Sequence, residues 1–432
     1  MQLRAVRGMK DILPEQIRLW QRLEQAFRQV VELYGYAEVR TPLIEATQLF
    51  VRQIGEETDV VEKEMYSFER HGDALTVRPE GTASAARAYV QHSVYAKEPV
   101  TRWYYLGPMF RAERPAKGRY RQFFQAGCEL LGDPGPLCDA EMIHMTAEVL
   151  RRVGIDQVAI HINSLGSGDM RERYRRALRD HFLPLRDSLS EDSRRRLETN
   201  PLRILDSKAV ADQEAVAAAP SILDLLGPED ADHFATLRRY LDRLGVEYVV
   251  DGRLVRGLDY YTRTLFELKT TGGELGAQDA LLGGGRYDHM VKSLGGPETP
   301  AIGFAMGLER ILSLMAEPPA APGPDCYLAP LGDEARAELL MLGRRLRDRG
   351  LRCEVDGRGL SIKAMLRRAN ALGSRLCLLL GDNELAQGVV TIKDLDRHQQ
   401  EQIELAGAAE VVAERLAPGQ SAGATETGGA DG

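Results

Sequence analysis

From Pro14 onward, apolar residues return every three to four positions, as Leu19, Leu23, Ala26, Phe27, Val30, Val31 and Tyr34, until Gly35 intervenes. That period predicts a long amphipathic helix, opened by a proline suited to a first turn and closed by a glycine. The pattern then shortens. AEVRTPLIE, ALTVRPEGT, TRWYYLGPMFRAE and RQFFQAGCELLG are strand-like runs punctuated by Pro and Gly, and the two runs flanking the polar loop RPAKGRY predict an antiparallel hairpin. Between residues 166 and 245 Arg, Leu, Asp and Ala dominate without strand alternation, which predicts a helical insertion. Strand pattern returns with VEYVVDGRLVRGLDYYTRTLFELKT and AQDALLGGGRYDHMV, and AIGFAMGLERILSLM predicts a strand running into a helix. EPPAAPGPD marks a linker. Beyond it CYLAPL, LRCEV, RLCLLL and GVVTIKDL alternate with helical patterns, as in a small separate α/β domain. PGQSAGATETGGADG has nothing apolar to bury and is expected to be disordered.

Composition narrows the function classes only slightly. The formal net charge of −8 gives no overall basic signature, so any nucleic-acid contact has to be local. The five cysteines (Cys128, Cys138, Cys326, Cys353, Cys377) are odd in number and form no C-x-x-C pair, which suits free buried thiols in a reducing compartment. His71, His92, His144, His161 and His289 have no metal-ligand spacing, so no metal site is expected. The N-terminus has no apolar h-region and no run approaches about 18 apolar residues, so neither export nor membrane spanning is indicated. A cytoplasmic location follows as the expectation.

Candidate chemistry concentrates in four stretches. RGLDYYTRTLFE, residues 256 to 267, has strand alternation that would put Leu258, Tyr260, Thr262, Thr264 and Phe266 on one face and Asp259, Tyr261, Arg263 and Glu267 on the other, with Arg256 just before. The hairpin MFRAERPAKGRYRQFFQAGCELLG carries Arg111, a loop with Arg114, Lys117, Arg119 and Arg121, and then Gln125 and Glu129. Arginine forks suit phosphate oxygens, whereas a carboxylate and an amide suit an amine or an imidazole. RPEGT sets Glu80 and Thr82 at a strand-to-helix turn, where a plain helix cap is the simpler reading. GLER puts Glu309 and Arg310 at a helix start. GGGRYD lacks the G-K-[ST] ending of a phosphate loop, and its glycines suit a close backbone approach to a ligand.

The order of these stretches resembles the catalytic core of a class II aminoacyl-tRNA synthetase, with RTPLIE similar to motif 1, FRAERPAKGRYRQF to motif 2 and GFAMGLERI to motif 3. Within that class, RGLDYYTRTLFE and GGGRYD resemble the two signatures of the histidyl-tRNA synthetase family. The resemblance spans about residues 1 to 416. It implies an α+β fold with a six- or seven-stranded antiparallel sheet: a catalytic core in two parts, 1–165 and 246–316, a helical insertion at 166–245, a linker at 317–324, an anticodon-binding domain at 325–416 and a tail at 417–432. The implied activity is ATP-dependent formation of histidyl-adenylate and transfer of the histidyl group to the 3′ end of tRNA(His), by a homodimer, with Mg2+ accompanying ATP.

Carried over by position, Glu80, Thr82 and Gln125 would hold the α-amino end of histidine, and Glu129 and Tyr261, with Tyr260, would enclose the rest of it. Arg111 and Arg256 would clamp the α-phosphate, and Arg119 and Arg310, with Glu309, the outer part of ATP. Three positions depart from the family pattern: Phe124 for a common His, Ala116 for a common Gln in the loop facing the acceptor end, and His289 for a common Gly. Two other readings remain open. One is the non-catalytic, histidine-sensing regulatory subunit of ATP phosphoribosyltransferase, which generally lacks the C-terminal domain. The other is a synthetase for threonine, proline or glycine, which lacks the RGLDYYTRT stretch.

Overall fold

The computed structural model describes residues 3–54, 58, 60–116, 118–256, 260–272, 279–317 and 322–417. Lys117, Leu258, Asp259, linker residues 318–321 and tail residues 418–432 lie outside the described residues. The chain divides into two compact units at Pro318/Pro319.

The first unit begins with the expected helix, α1 (Pro14–Leu33), whose Trp20, Leu23, Phe27, Val30 and Val31 are buried. Strand β1 (Ala37–Glu38) follows, then a three-stranded sheet of β2 (Ile44–Ala46), β3 (Tyr66–Arg70) and β4 (Asp73–Val77), with α2 (Thr47–Ile54) and α3 (Thr82–Gln91) beside it. The hairpin is β5 (Thr101–Phe110) and β6 (Gln122–Leu131), paired antiparallel from Thr101 opposite Leu131 to Phe110 opposite Gln122. After α4 (Pro136–Arg152) and β7 (Val158–Ser164) come the helices α5 (Met170–Phe182), α6 (Glu191–Thr199), α7 (Gln213–Ala217) and α8 (Pro228–Arg243). The first three helices share a separate core around Tyr174, Leu178, Phe182 and Leu197. In contrast, α8 sends Phe234, Leu237 and Leu241 into the main core. Strands β8 (Val249–Val250), β9 (Thr262–Thr270), β10 (Ala280–Arg286) and β11 (Ala301–Gly307), the short α9 (Met290–Ser293) and α10 (Leu308–Leu312) complete the unit.

The main sheet has eight described strands in the order β1-β5-β6-β11-β10-β9-β7-β8, not six or seven. Its six inner strands pair antiparallel, while the two-residue edge strands β1 and β8 pair parallel with β5 and β7. Strands this short, reached by crossovers and not by hairpins, leave little alternation in a sequence.

Period two decides which side chains face the site. On β6, Ala126, Cys128 and Leu130 pack toward α1 and α4 in the main core. Phe123, Gln125 and Glu129 therefore face the opposite side. On β9, Phe266 and Leu268 join the same core, and Leu265 and Glu267 face away from it. The alternation put Tyr260 and Tyr261 on the strand, but it begins only at Thr262. Arg263 has φ +39° and the register with β10 slips between Gly285 and Arg286, a bulge that ends the ladder at Thr262. Tyr260 and Tyr261 consequently sit before the strand and line one cavity together, instead of alternating across the sheet.

The second unit has a five-stranded sheet, β13-β12-β14-β15-β16, formed by β12 (Cys326–Pro330), β13 (Cys353–Val355), β14 (Leu376–Leu380), β15 (Val389–Asp394) and β16 (Gln399–Glu404). The first three strands run parallel and the last two antiparallel. Leu328 and Leu378 meet α11 (Asp333–Asp348) and α14 (Ala408–Leu416), whereas Tyr327 and Cys377 meet α12 (Ile362–Ala371) on the other face, and the short α13 (Asp382–Gln387) links β14 to β15.

Candidate active site

A cavity of about 180 Å3 opens on the face of the main sheet away from α1 and α4. Glycines make room for it. A Cβ on Gly303 would stand 1.8 Å from Glu129 Oε2, one on Gly283 would meet Arg256 Cζ at 2.3 Å, and one on Gly81 would run into the Tyr105 ring at 2.2 Å. The side chains that fill these gaps are thus held by close backbone approach.

Of the eleven residues given a role by the resemblance, ten line this cavity: Glu80, Thr82, Arg111, Arg119, Gln125, Arg256, Tyr260, Tyr261, Glu309 and Arg310. Glu129 lies beneath it, 1% exposed, behind Gly303. Arg114 and Arg121 do not line it, and Arg121 turns back to the Glu113 and Arg7 carbonyls.

One end of the cavity is cationic. Arg111 donates from Nε to the Pro79 carbonyl at 2.9 Å and lies 5.3 Å from the Phe123 ring centroid. Arg310 donates to the Ala280 carbonyl at 2.8 Å, and Arg119 stands 3.6 Å from Glu113. Arg256 pairs with Glu267, which also holds Lys269 at 3.2 Å. Burial lowers the Arg310 pKa, and repulsion from Arg119, Arg256 and Arg111 pushes the same way against Glu113. Four guanidiniums that repel one another in a half-enclosed cavity make a site for a polyanion.

The other end is acidic and aromatic, and it is incompletely satisfied. Tyr287 Oη donates to Glu129 Oε2 at 2.5 Å. The second carboxylate oxygen of Glu129 and the Oε1 of Gln125 are buried with no partner among the described residues. Burial pushes the Glu129 carboxyl up to about 8, against hydrogen bonds from Tyr287 and Thr82. Two orphaned acceptors of this kind await a donor. Glu80 keeps its bland role as well as a place on the cavity wall: its two oxygens accept the Thr82 and Ala83 N–H groups at 2.7 and 2.8 Å, capping α3. Burial raises its carboxyl pKa.

Tyr287, Phe123, Glu113 and Tyr105 do not stand out in the sequence. Tyr287 lies in GGGRYD, where the glycines are the stronger signal. Phe123 is legible as the residue two before Gln125 on the same face of β6. The departing Phe124 points to the opposite face and packs edge-on to Trp20 of α1, with centroids 5.0 Å apart. No group of three His, Cys, Asp or Glu side chains suited to a metal ion occurs among the described residues. All five cysteines are free, and Cys353 alone is not buried.

An antiparallel sheet with arginines at one end of its cavity and orphaned acceptors at the other is the core of a class II aminoacyl-tRNA synthetase. The family model described as histidyl-tRNA synthetase matches residues 8–311, and that described as anticodon binding domain matches residues 325–415. The chain belongs to the histidyl-tRNA synthetase family. It is 66% identical over 417 residues to a histidine–tRNA ligase of Sorangium cellulosum, covering 96% of this chain and 97% of that protein. Apo histidyl-tRNA synthetase of S. aureus is similar in structure, with TM-score 0.79 and 34% identity over 95% of this chain and 100% of that one. A Bacillus halodurans chain described as ATP phosphoribosyltransferase regulatory subunit/histidyl-tRNA synthetase shares the fold, with TM-score 0.65 and 23% identity over 88% of this chain and 99% of that one.

Proposed function

We propose that this chain charges tRNA with histidine in two steps within the cavity of the first unit. The observation that carries the reading is the pairing of a four-arginine end with an end whose buried acceptors, Glu129 Oε1 and Gln125 Oε1, lack donors among the described residues. Histidine brings the missing donors in its ammonium group and ring N–H. Its carboxylate then attacks the α-phosphorus of ATP, the bond to the β-phosphate oxygen breaks, and pyrophosphate leaves. Arg111 and Arg256 hold the charge at the α-phosphate, and Arg119 and Arg310 hold the outer phosphates. Glu113 and Glu309, carboxylates on the cavity wall, would hold the Mg2+ that accompanies ATP, and the ion would neutralise phosphate charge there. In the second step the 3′-terminal hydroxyl of tRNA attacks the adenylate carbonyl and AMP leaves.

Glu129 and Tyr287 supply selection. A pocket that hydrogen-bonds a polar ring disfavours apolar side chains by roughly 10⁴-fold, because its buried acceptors would stay unpaired. The C-terminal unit supports the ligase over the histidine-sensing alternative, since it spans the full anticodon-binding match. Its Lys363, Arg367 and Arg368 are exposed on α12 and suit tRNA phosphates. For a homodimer, exposed Leu43, Ile44 and Phe68, near the segment similar to motif 1, offer apolar surface. Free thiols fit a cytoplasmic setting. Among the described residues no helix is long and apolar enough to cross a membrane.

Charging assays with labelled histidine, threonine, proline and glycine test the reading. Histidine alone is expected to reach tRNA. Histidine binding without charging would overturn it in favour of the sensor.

A further inference from the structure

A second cavity of about 280 Å3 shares only Tyr260 and Tyr261 with the catalytic one. Its far side is built by α2, by the Leu165–Gly168 loop leading into α5, and by the segment around α9. Arg52, Arg171 and His289 supply cationic or N–H-bearing groups to the lining, and no carboxylate belongs to its described lining. Such a lining has the wrong sign for a metal ion or an amine.

A second observation points to a ligand. Gln53 lines the same cavity, is 5% exposed, and pairs its Oε1 with Ser293 Oγ at 2.9 Å. Its Nε2 has no partner among the described residues. A buried amide donor left open beside guanidiniums calls for an acceptor-rich anion. The loop is firmly set: Ser167 donates its N–H and Oγ to Asp230 at 2.8 and 3.0 Å, and Asp230 is held in turn by Arg263 at 2.9 Å. Backbone at Gly166 and Gly168, with φ +66° and +59°, lets the chain turn there without side chains filling the space.

We infer that Arg52 and Gln53, with Arg171 and His289, form a phosphate subsite that takes a backbone phosphate near the 3′ end of the tRNA. The inference rests on the ligase reading, in which tRNA is the polyanion other than ATP that the chain has to bind. A phosphate seated here would position the terminal nucleotides for the second step and play no part in forming the adenylate. Free inorganic phosphate offers the same chemistry and is the competing source.

The test uses the full-length chain with Arg52→Gln, Arg52→Lys and Gln53→Met. Histidine-dependent ATP–pyrophosphate exchange without tRNA is expected to stay within about twofold of the parent. The tRNA KM for charging is expected to rise about tenfold in Arg52→Gln, to recover in Arg52→Lys, and to rise in Gln53→Met. The salt slope of tRNA binding should flatten by about 0.7–0.9 in Arg52→Gln, as for one phosphate fewer neutralised. Unchanged tRNA KM in Arg52→Gln with normal exchange would overturn the subsite. Loss of exchange in both Arg52→Gln and Gln53→Met would also overturn it, by showing a structural wall. Inorganic phosphate that binds in an Arg52-dependent way without competing with tRNA would assign the cavity to a free anion instead. Failure of the ligase reading would look different, as absent charging by the parent chain.

Discussion

The same strands carry buried charge on both of their faces, and the two faces are built oppositely. On the helix side, Arg286 and Asp139 are both fully buried and lie 2.9 Å apart. Thr264 Oγ1 and His233 Nε2 reach the same carboxylate at 2.5 and 2.9 Å, and Arg286 also meets Asp288 at 3.0 Å and the Asp133 carbonyl at 2.8 Å. Burial alone would raise the Asp139 carboxyl, but Arg286 and His233 outweigh it and hold it low. On the cavity side, Glu129 and Gln125 keep open acceptors, Glu129 is pushed up to about 8, and Arg310 is pushed down. Satisfied buried charge ties α4, α8, β9 and β10 together, and unsatisfied buried polar groups anticipate substrate.

The largest expected effect breaks the closed side. Asp139→Ala removes the buried carboxylate that Arg286, His233 and Thr264 share, leaving Arg286 with Asp288 and backbone carbonyls, and should cost about 3–5 kcal/mol of stability, read as a lower urea midpoint. An unfolding free energy within about 0.5 kcal/mol of the parent would place the network outside the structural core. Next, Gly303→Ala puts a methyl where Glu129 Oε2 stands, so about 1–3 kcal/mol of overpacking strain should appear as a raised histidine KM with the ATP KM nearly unchanged. Equal rises in both would place the glycine's role elsewhere.

Glu129 sharpens the contrast through pH. Its folded pKa of about 8 exceeds the ordinary carboxylate value, so the folded state holds a proton that the unfolded chain has released. Its contribution is fully present below about 4.5 and is lost as pH rises through about 8, with a slope of at most about 1.4 kcal/mol per pH unit. Glu129→Gln should flatten ligand-free stability between pH 5 and 8, measured by urea midpoints, and an unchanged slope would reject the assignment. The smallest effect lies in the C-terminal unit. Lys363→Gln with Arg367→Gln should make the salt dependence of tRNA binding shallower by about 0.7–0.9 for each phosphate no longer neutralised. Arg368, already 3.7 Å from Glu354, should add less.

Sequence exposed the open face better than the closed one. Gln125 and Glu129 are four apart on a strand that alternates cleanly, so period two puts them on one side. Arg256 and the tyrosines stood out as polar groups in an apolar run, but the bulge at Arg263 leaves Tyr260 and Tyr261 ahead of the strand on which alternation put them, and a left-handed arginine leaves no pattern in sequence. The Asp139 network was invisible because His233, Thr264 and Arg286 lie 94, 125 and 147 residues from it along the chain. The edge strands β1 and β8 fall inside AEVRTPLIE and VEYVVDGRLV, runs that read as strand, but two residues each show too little alternation to mark their bounds.

The most direct test is histidine-dependent ATP–pyrophosphate exchange in Arg256→Ala, run beside its urea midpoint. Glu267 keeps Lys269 as a partner when Arg256 is removed, so the fold should hold. Exchange should fall about 100- to 1000-fold, roughly 3–4 kcal/mol of transition-state stabilisation, with the midpoint unchanged. Exchange at the parent rate, or a loss matched by an equal loss of stability, would contradict the assignment of the open face to substrate.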